Sequence, residues 1–131
     1  GLDLDVRSKR LFDIPSGSKT EYVIKYITGN RIPLLKLSEM YLIAAEASGD
    51  IRFLETLRGF RGYAGNPLPA DANLLEELRK EYQKEFIAEV QLFYFYKRQN
   101  MTTIPFTAQT MNRATYVFPM PDNELEFGNI Q

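Results

Sequence analysis

The chain has 131 residues, which fits one domain or part of one, and 44% of them are apolar, enough for a buried core. Its formal net charge of −1 argues against nucleic acid as the main partner. Cysteine and histidine are absent, which excludes disulfides, thiol chemistry and the commonest general base and metal ligand, so we predict no cofactor and no metal. No segment approaches the roughly 20 apolar residues of a membrane-spanning helix.

Residues 1–30 are predicted to form an irregular and extended lead-in. Within it, residues 2–7 alternate apolar and charged side chains, as a short edge strand does. Residues 14–18 contain a proline and a glycine and are predicted to be an exposed loop. Residues 21–28 are rich in β-branched and aromatic side chains, so we predict a second short strand or extended segment there.

Two helices joined by a tight turn are predicted next. The first spans residues 31–48, with Pro33 in its first turn, and Gly49 ends it. Asp50 can cap the second helix at once, and that helix extends to about residue 61. The pattern indicates an antiparallel helical hairpin. The two apolar faces consist of Leu34, Leu37, Tyr41, Ala44 and Ala45 with Leu42 beside them, and of Phe53, Leu54, Leu57 and Phe60.

The longest helical pattern covers residues 74–100, after a loop at residues 62–73. It contains no proline or glycine, and we predict one continuous helix. Asn73 is a suitable N-cap, and Glu76 stands where it can complete a capping box. The predicted buried face consists of Leu75, Leu78, Tyr82, Phe86, Val90 and Phe93.

The polar side of this predicted helix carries a row of like charges. Glu77, Glu81, Glu85 and Glu89 recur every four residues, a spacing at which carboxylates repel each other on a helix. We therefore expect cations from elsewhere in the fold to face them. A solvated acidic face is the alternative.

The C-terminal region lacks helical periodicity. Residues 101–113 are predicted to be a loop and residues 114–118 a short extended run. A Pro-Met-Pro segment at residues 119–121 precedes a predicted helical turn that begins at 122–124 and ends at 128–129.

Catalytic chemistry is not predicted. Glu85 and Glu89 are close enough to act as a carboxylate pair, but on one helix they point the same way and cannot flank a sugar. A di-metal helix bundle usually adds Glu-x-x-His, and histidine is absent. Gly59, Gly62 and Gly65 lack the spacing of a phosphate loop and are interpreted as helix-end and turn glycines.

A sugar site needs an exposed aromatic ring with planar polar groups beside it. The loop at residues 62–69 provides Tyr63 and Asn66, next to Arg61, and these three are the candidate ligand-binding residues. The alternative is that Tyr63 is a lid over the helical core.

Four segments in this order resemble the SusD/RagB family, nutrient-capturing outer-membrane lipoproteins of Bacteroidetes. Residues 31–47 resemble the family's signature helix, and residues 57–62 its following Leu-Asn-x-x-Arg-x-Arg-Gly pattern. Residues 81–98 resemble its long C-terminal helix, with Glu-x-x-x-Glu and a closing Lys-Arg. Residues 116–121, with Glu124 and Asn129, are similar to its final Phe-Pro-Ile-Pro…Glu…Asn motif. Asp5-Val6-Arg7 resembles an upstream Asp-x-Arg.

The long helix also departs from the family pattern. Val90 stands where the family usually has glycine, and Leu92 stands where it has arginine. Phe95 replaces the aspartate that precedes the closing Lys-Arg. We expect apolar packing in place of the polar network that those residues form.

The resemblance implies a mainly α fold, in which a tetratricopeptide-like helical hairpin packs on a long C-terminal helix, with short strands and long loops. The chain would be one C-terminal domain of a longer protein, with residues 1–30 as the lead-in and residues 31–131 as helical core and Pro-x-Pro segment. We expect Leu37, Tyr41 and Ala45 to pack against the face of Leu78, Tyr82 and Phe86. The resemblance also implies that Arg58 and Arg61 are the counter-ions of the acidic row.

The function implied is non-catalytic binding of a nutrient, most simply a glycan, for polysaccharide uptake. The protein would lie on the cell-surface face of the outer membrane, held by a lipid anchor that this chain lacks, and would work with a TonB-dependent, SusC-like transporter. No ligand residue of the family maps onto a clear motif here. The alternative function is a helical-repeat scaffold that binds a protein and no sugar.

Overall fold

The computed structural model describes residues 4–26 and 33–121, which are mainly α-helical. The chain divides into two compact units, Gly1–Glu89 and Val90–Gln131. Among the described residues, the first unit contains four α-helices and a two-stranded sheet, and the second contains two short helices.

The first unit begins with a short helix, α1, at Val6–Arg10, where residues 2–7 were predicted to be an edge strand. For residues 4–7, the part of that segment which the structure describes, the prediction is wrong because Asp5 caps the helix, its carboxylate accepting the Arg7 N–H at 3.0 Å. Strand β1, Phe12–Asp13, pairs antiparallel with β2, Tyr22–Val23. The predicted strand at 21–28 is therefore present as two residues, and its last two positions lie outside the described residues.

The predicted helical hairpin is confirmed as α2, Leu37–Ser48, and α3, Ile51–Arg58. Gly49 ends α2 in the left-handed conformation, with φ of 71°, and the Asp50 carboxylate accepts the Arg52 N–H at 2.9 Å. The buried residues that face each other in this hairpin include Leu42, Ala45, Leu54 and Leu57.

The start of α2 differs from its prediction. The helix begins at Leu37 and not at residue 31, and Lys36 is its extended N-cap residue. Pro33 therefore precedes the helix, and residues 31–32 lie outside the described part of the chain. Leu34 and Leu37, predicted to be buried, are 91% and 73% exposed. The buried stripe consists of Ser38, Leu42 and Ala45.

A π-helical turn at Gly59–Tyr63 continues α3. Phe53 and Phe60, which were predicted to be buried, are 38% and 65% exposed. Gly62 lies inside this turn with a non-helical φ of 105°, and a Cβ atom there would lie 1.9 Å from the Leu4 carbonyl oxygen. Glycine is thus needed at this position for the N-terminal segment to approach.

Helix α4, Leu74–Glu85, packs on α2. The predicted cap is confirmed, since the Asn73 side chain accepts the Glu76 N–H at 3.1 Å. Tyr82 is buried and donates its hydroxyl to Glu46 at 3.3 Å. Of the residues predicted to meet in this packing, Ala45, Leu78, Tyr82 and Phe86 are buried, Tyr41 is half-buried and Leu37 is exposed.

The prediction of one helix over residues 74–100 is wrong, because the chain leaves the helix after Glu85 and Ala88 has φ of 60°. In a continuous helix the Glu85 carbonyl would accept the Glu89 N–H. The Lys25 ammonium donates to that carbonyl instead, at 2.6 Å, and the Glu89 N–H bonds to Phe86 O. A cation distant in sequence thus satisfies the end of α4.

The second unit contains α5, Gln91–Arg98, and α6, Arg113–Tyr116. Phe95, which stands where the resembled family has an aspartate, is fully buried, as the expected apolar packing predicts. Val90, for which the same packing was expected, is 63% exposed. The loop after α5 is confirmed, but residues 114–116 are helical and not extended because Asn112 forms a capping box with Thr115. The predicted turn at 122–129 lies outside the described residues.

Candidate functional site

Cations cover the acidic row of α4. Glu81 and Glu85 lie on the helix, Glu89 lies just after it, and all three bind cations that are distant in sequence. Glu77 differs, because it pairs with Lys80 of its own helix at 2.6 Å. The solvated-face alternative is therefore wrong for Glu81, Glu85 and Glu89.

Glu81 is fully buried and binds three cations. Its carboxylate oxygens lie 2.7 Å from Arg7 Nη2, 3.2 Å from Arg58 Nη1 and 2.6 Å from Lys84 Nζ. Taking a carboxylate out of water costs several kcal/mol unless charges and hydrogen bonds replace its hydration. Glu81 meets that condition.

Arg7 joins three carboxylates through one guanidinium group. It makes a bidentate contact with Asp5, Nε to Oδ1 at 2.9 Å and Nη2 to Oδ2 at 2.8 Å, and also reaches Glu81 and Glu85. Burial alone would lower the pKa of Arg7, but the hydrogen bonds and charges of Asp5 and Glu81 outweigh it and raise the pKa.

Arg61 holds Glu85 with both ends of its fork. Nη2 lies 2.7 Å from Oε1 and Nε lies 3.0 Å from Oε2, while Arg7 Nη1 reaches Oε2 at 3.1 Å. Burial would raise the pKa of Glu85, but the hydrogen bonds from Arg61 and Ser38 and the two arginine charges lower it below its ordinary value.

Glu89 completes the row between two lysines. Lys36 Nζ lies 2.7 Å from Oε2, Lys25 forms a salt bridge with Oε1, and the Tyr26 hydroxyl donates to Oε1 at 3.1 Å. Burial opposes ionisation of Glu89, but the lysine contacts outweigh it and lower its pKa. Burial, aided by the charge of Lys36, lowers the pKa of Lys25.

The prediction that Arg58 and Arg61 are counter-ions is confirmed by their contacts with Glu81 and Glu85. Sequence reasoning did not find the roles of Arg7, Lys25 and Lys36. The only signal for Arg7 was the Asp-x-Arg pattern, which gave no indication of where it would pack.

The candidate ligand-binding residues separate into two places. Tyr63 and Asn66 line one open pocket of about 340 Å³, together with Glu55 and Arg58. Arg61 is not part of that pocket, because its guanidinium is held by Glu85. Arg58 therefore takes the place beside the tyrosine that Arg61 was expected to have.

Tyr63 contacts two cations of the network. The Arg58 guanidinium carbon lies 4.4 Å from the ring centroid, and Lys84 Nζ lies 5.3 Å from it. Both cations bind Glu81. The tyrosine is half-buried and contacts these cations of the ion network. The lid interpretation had expected it to cover the apolar core instead.

Glu85 and Glu89, the carboxylate pair considered in the sequence, are both bound by cations, Glu85 by Arg61 and Glu89 by Lys36. Among residues 4–26 and 33–121, no three acidic side chains gather as metal ligands, and no helix there has the length and apolar character to cross a membrane.

Comparisons with protein-family models, curated protein sequences and solved structures gave no match to this chain.

Proposed function

We propose that this chain is the C-terminal, non-catalytic part of a SusD/RagB-like protein that binds a glycan at the cell surface and hands it to a TonB-dependent transporter. The observation that supports glycan binding is the pocket in which Tyr63 and Asn66 meet. An aromatic face with planar polar groups beside it is what a sugar ring needs, since sugars present both apolar C–H surfaces and hydroxyls.

The surroundings of the pocket support binding by a preformed site. Arg58 and Lys84 hold the Tyr63 ring, and both are anchored by buried Glu81. Glu55 is fixed in turn, since its Oε1 accepts the Leu68 N–H at 3.3 Å. Because these groups are already ordered, a ligand would lose little free energy in arranging them. Capture would be non-covalent and followed by release to the transporter.

Affinity electrophoresis against a panel of soluble polysaccharides tests the proposal. We expect at least one polymer to retard the chain, and Asn66→Ala to reduce that retardation. Asn66 is exposed, so its replacement should leave the fold unchanged. Tyr63→Phe should retain binding that depends on the ring face, and Tyr63→Ala should lose it. Tyr22→Ala, at an exposed aromatic outside the pocket, is the control.

A second candidate function is a scaffold that binds a protein and no sugar. It is favoured by a run of exposed apolar side chains at the start of α2. Retardation by no polymer, together with loss of a protein contact on replacing Leu34 and Leu35 by serine, would support it. The exposed side chains and their exposed fractions are Leu34 (91%), Leu35 (76%), Leu37 (73%), Met40 (42%) and Ile43 (44%).

A further inference from the structure

A second pocket is lined by residues of α1, β1 and α4. Its volume is about 340 Å³, within the range of small-molecule sites. Phe12 of β1 and Ile87, two residues beyond α4, give it apolar walls, and Gln83 of α4 also lines it. Lys80 and Lys84 line it as well, and the methylene stem of such a side chain can cover apolar surface while its charged end is held elsewhere.

The cations that line this pocket differ in how far carboxylates already neutralise them. Its lining includes four cations, Arg7, Arg79, Lys80 and Lys84, and one acidic residue, Asp5. Asp5 cannot attract a cationic ligand strongly, because its two carboxylate oxygens are already bound by Arg7. Arg7 and Lys84 are likewise neutralised by Asp5, Glu81 and Glu85, so the cations that an entering anion would meet are Arg79 and Lys80, which are paired only along their own helix.

Arg79 and Lys80 are the two cations of this pocket that are held only weakly. Arg79 bonds to Glu76 at 3.1 Å and Lys80 to Glu77 at 2.6 Å, both as pairs three residues apart on one helix. Such surface pairs are worth only a few tenths of a kcal/mol. Within the described residues, Nε is the one guanidinium nitrogen of Arg79 that makes a hydrogen bond. Its fork can thus receive a carboxylate in bidentate geometry.

We propose that this pocket binds an amphipathic carboxylate, with its apolar body between Phe12 and Ile87 and its carboxylate at Arg79 and Lys80. The site is separate from the Tyr63 pocket and does not rest on the proposed glycan binding. A neutral apolar molecule would contact the apolar walls but would not pair with Arg79 and Lys80. A cationic molecule would be repelled by these two side chains.

Calorimetric titration of the full chain with three eight-carbon probes tests the proposal without any mutation. Octanoate, kept below its micelle concentration, should bind with one site, at least about tenfold more tightly than 1-octanol, and octylammonium should bind most weakly. Raising the salt concentration should weaken octanoate binding, because salt screens exposed charges. Equal affinity for octanoate and octanol, or tighter binding of octylammonium, would overturn the proposal.

Two variants locate the site. Arg79→Gln combined with Lys80→Gln should weaken octanoate binding by about tenfold, whereas Lys97→Gln, at an exposed lysine that does not line the pocket, should leave it unchanged. Circular dichroism of the variants checks that the helices are retained. Equal affinity in the double variant and in Lys97→Gln would contradict the assignment, and so would the absence of saturable octanoate binding to the unmodified chain.

Discussion

Replacing Arg7 by methionine should destabilise the first unit strongly. Arg7 is 6% exposed and donates four side-chain hydrogen bonds to the carboxylates of Asp5, Glu81 and Glu85. Methionine has a similar stem and helix propensity, so the change mainly removes the charge and its donors.

The magnitude follows from what remains after the change. Glu81 keeps Arg58 and Lys84, and Glu85 keeps Arg61, but Asp5 loses the one cation that forms a salt bridge with it among the described residues. Breaking a buried ion pair on one side costs about 3–5 kcal/mol, and the two surviving partnerships place the expected loss near 3 kcal/mol. The midpoint of thermal unfolding should fall by about 10 °C.

Urea unfolding followed by circular dichroism measures this loss. The matched control is Lys9→Met on the same helix, where the side chain is exposed and the change should stay within about 0.5 kcal/mol. Asp5→Asn in the Arg7→Met background should recover part of the loss, because it removes the unpaired carboxylate and keeps a good cap. An Arg7→Met variant as stable as Lys9→Met would refute the argument that Arg7 holds the network together.

Three further predictions concern the backbone and the titration of the network. Gly62→Ala should lower the free energy of unfolding by about 2 kcal/mol or more, because its Cβ would lie 1.9 Å from Leu4 O. Gly59→Ala, where a Cβ would meet nothing within 4 Å, should raise it by about 0.5 kcal/mol. Shifts of the same sign in the midpoint of thermal unfolding of the two variants would contradict this. Ala88→Gly should stabilise the protein by about 0.5 kcal/mol, because φ is 60° at that residue. Ala47→Gly, inside α2, should destabilise it by about 1 kcal/mol. Changes of the same sign in the free energy of urea unfolding would count against the left-handed conformation of Ala88 after α4. Glu85 and Glu89 have folded-state pKa values below the ordinary 4.5. The stability that they contribute is therefore present above about pH 5 and is lost as the pH falls below 4.5 through those folded-state pKa values. Urea unfolding at pH 7, 4.5 and 3 should show this decrease, and a free energy of unfolding that stays constant would contradict the prediction.

The helical hairpin was predictable because its boundaries depend on local chemistry. Gly49 takes a left-handed conformation that most residues avoid, and Asp50 caps the next helix through its own side chain. The like charges of Glu81 and Glu85 also gave the right expectation, since a row of carboxylates on one buried helix requires cations from elsewhere.

The end of α4 was not predictable from local sequence. No proline or glycine marks residues 86–90, and the periodicity continues through them. The break depends on Lys25, about sixty residues earlier, whose ammonium occupies the Glu85 carbonyl. The late start of α2 at Leu37 was not predicted for a related reason. Lys36 is extended, and its ammonium reaches Glu89. Long-range contacts of Lys25 and Lys36, which a periodicity analysis does not contain, lie at both boundaries.

Mapping of amide chemical shifts in the ¹⁵N-labelled chain during titration with oligosaccharides tests glycan binding at the Tyr63 pocket most directly. The account predicts that the largest saturable shifts fall at Tyr63, Gly65 and Asn66 for at least one sugar, and that Asn66→Ala reduces them. Shifts centred on another surface, such as residues 34–43, or no shifts with any oligosaccharide, would contradict it.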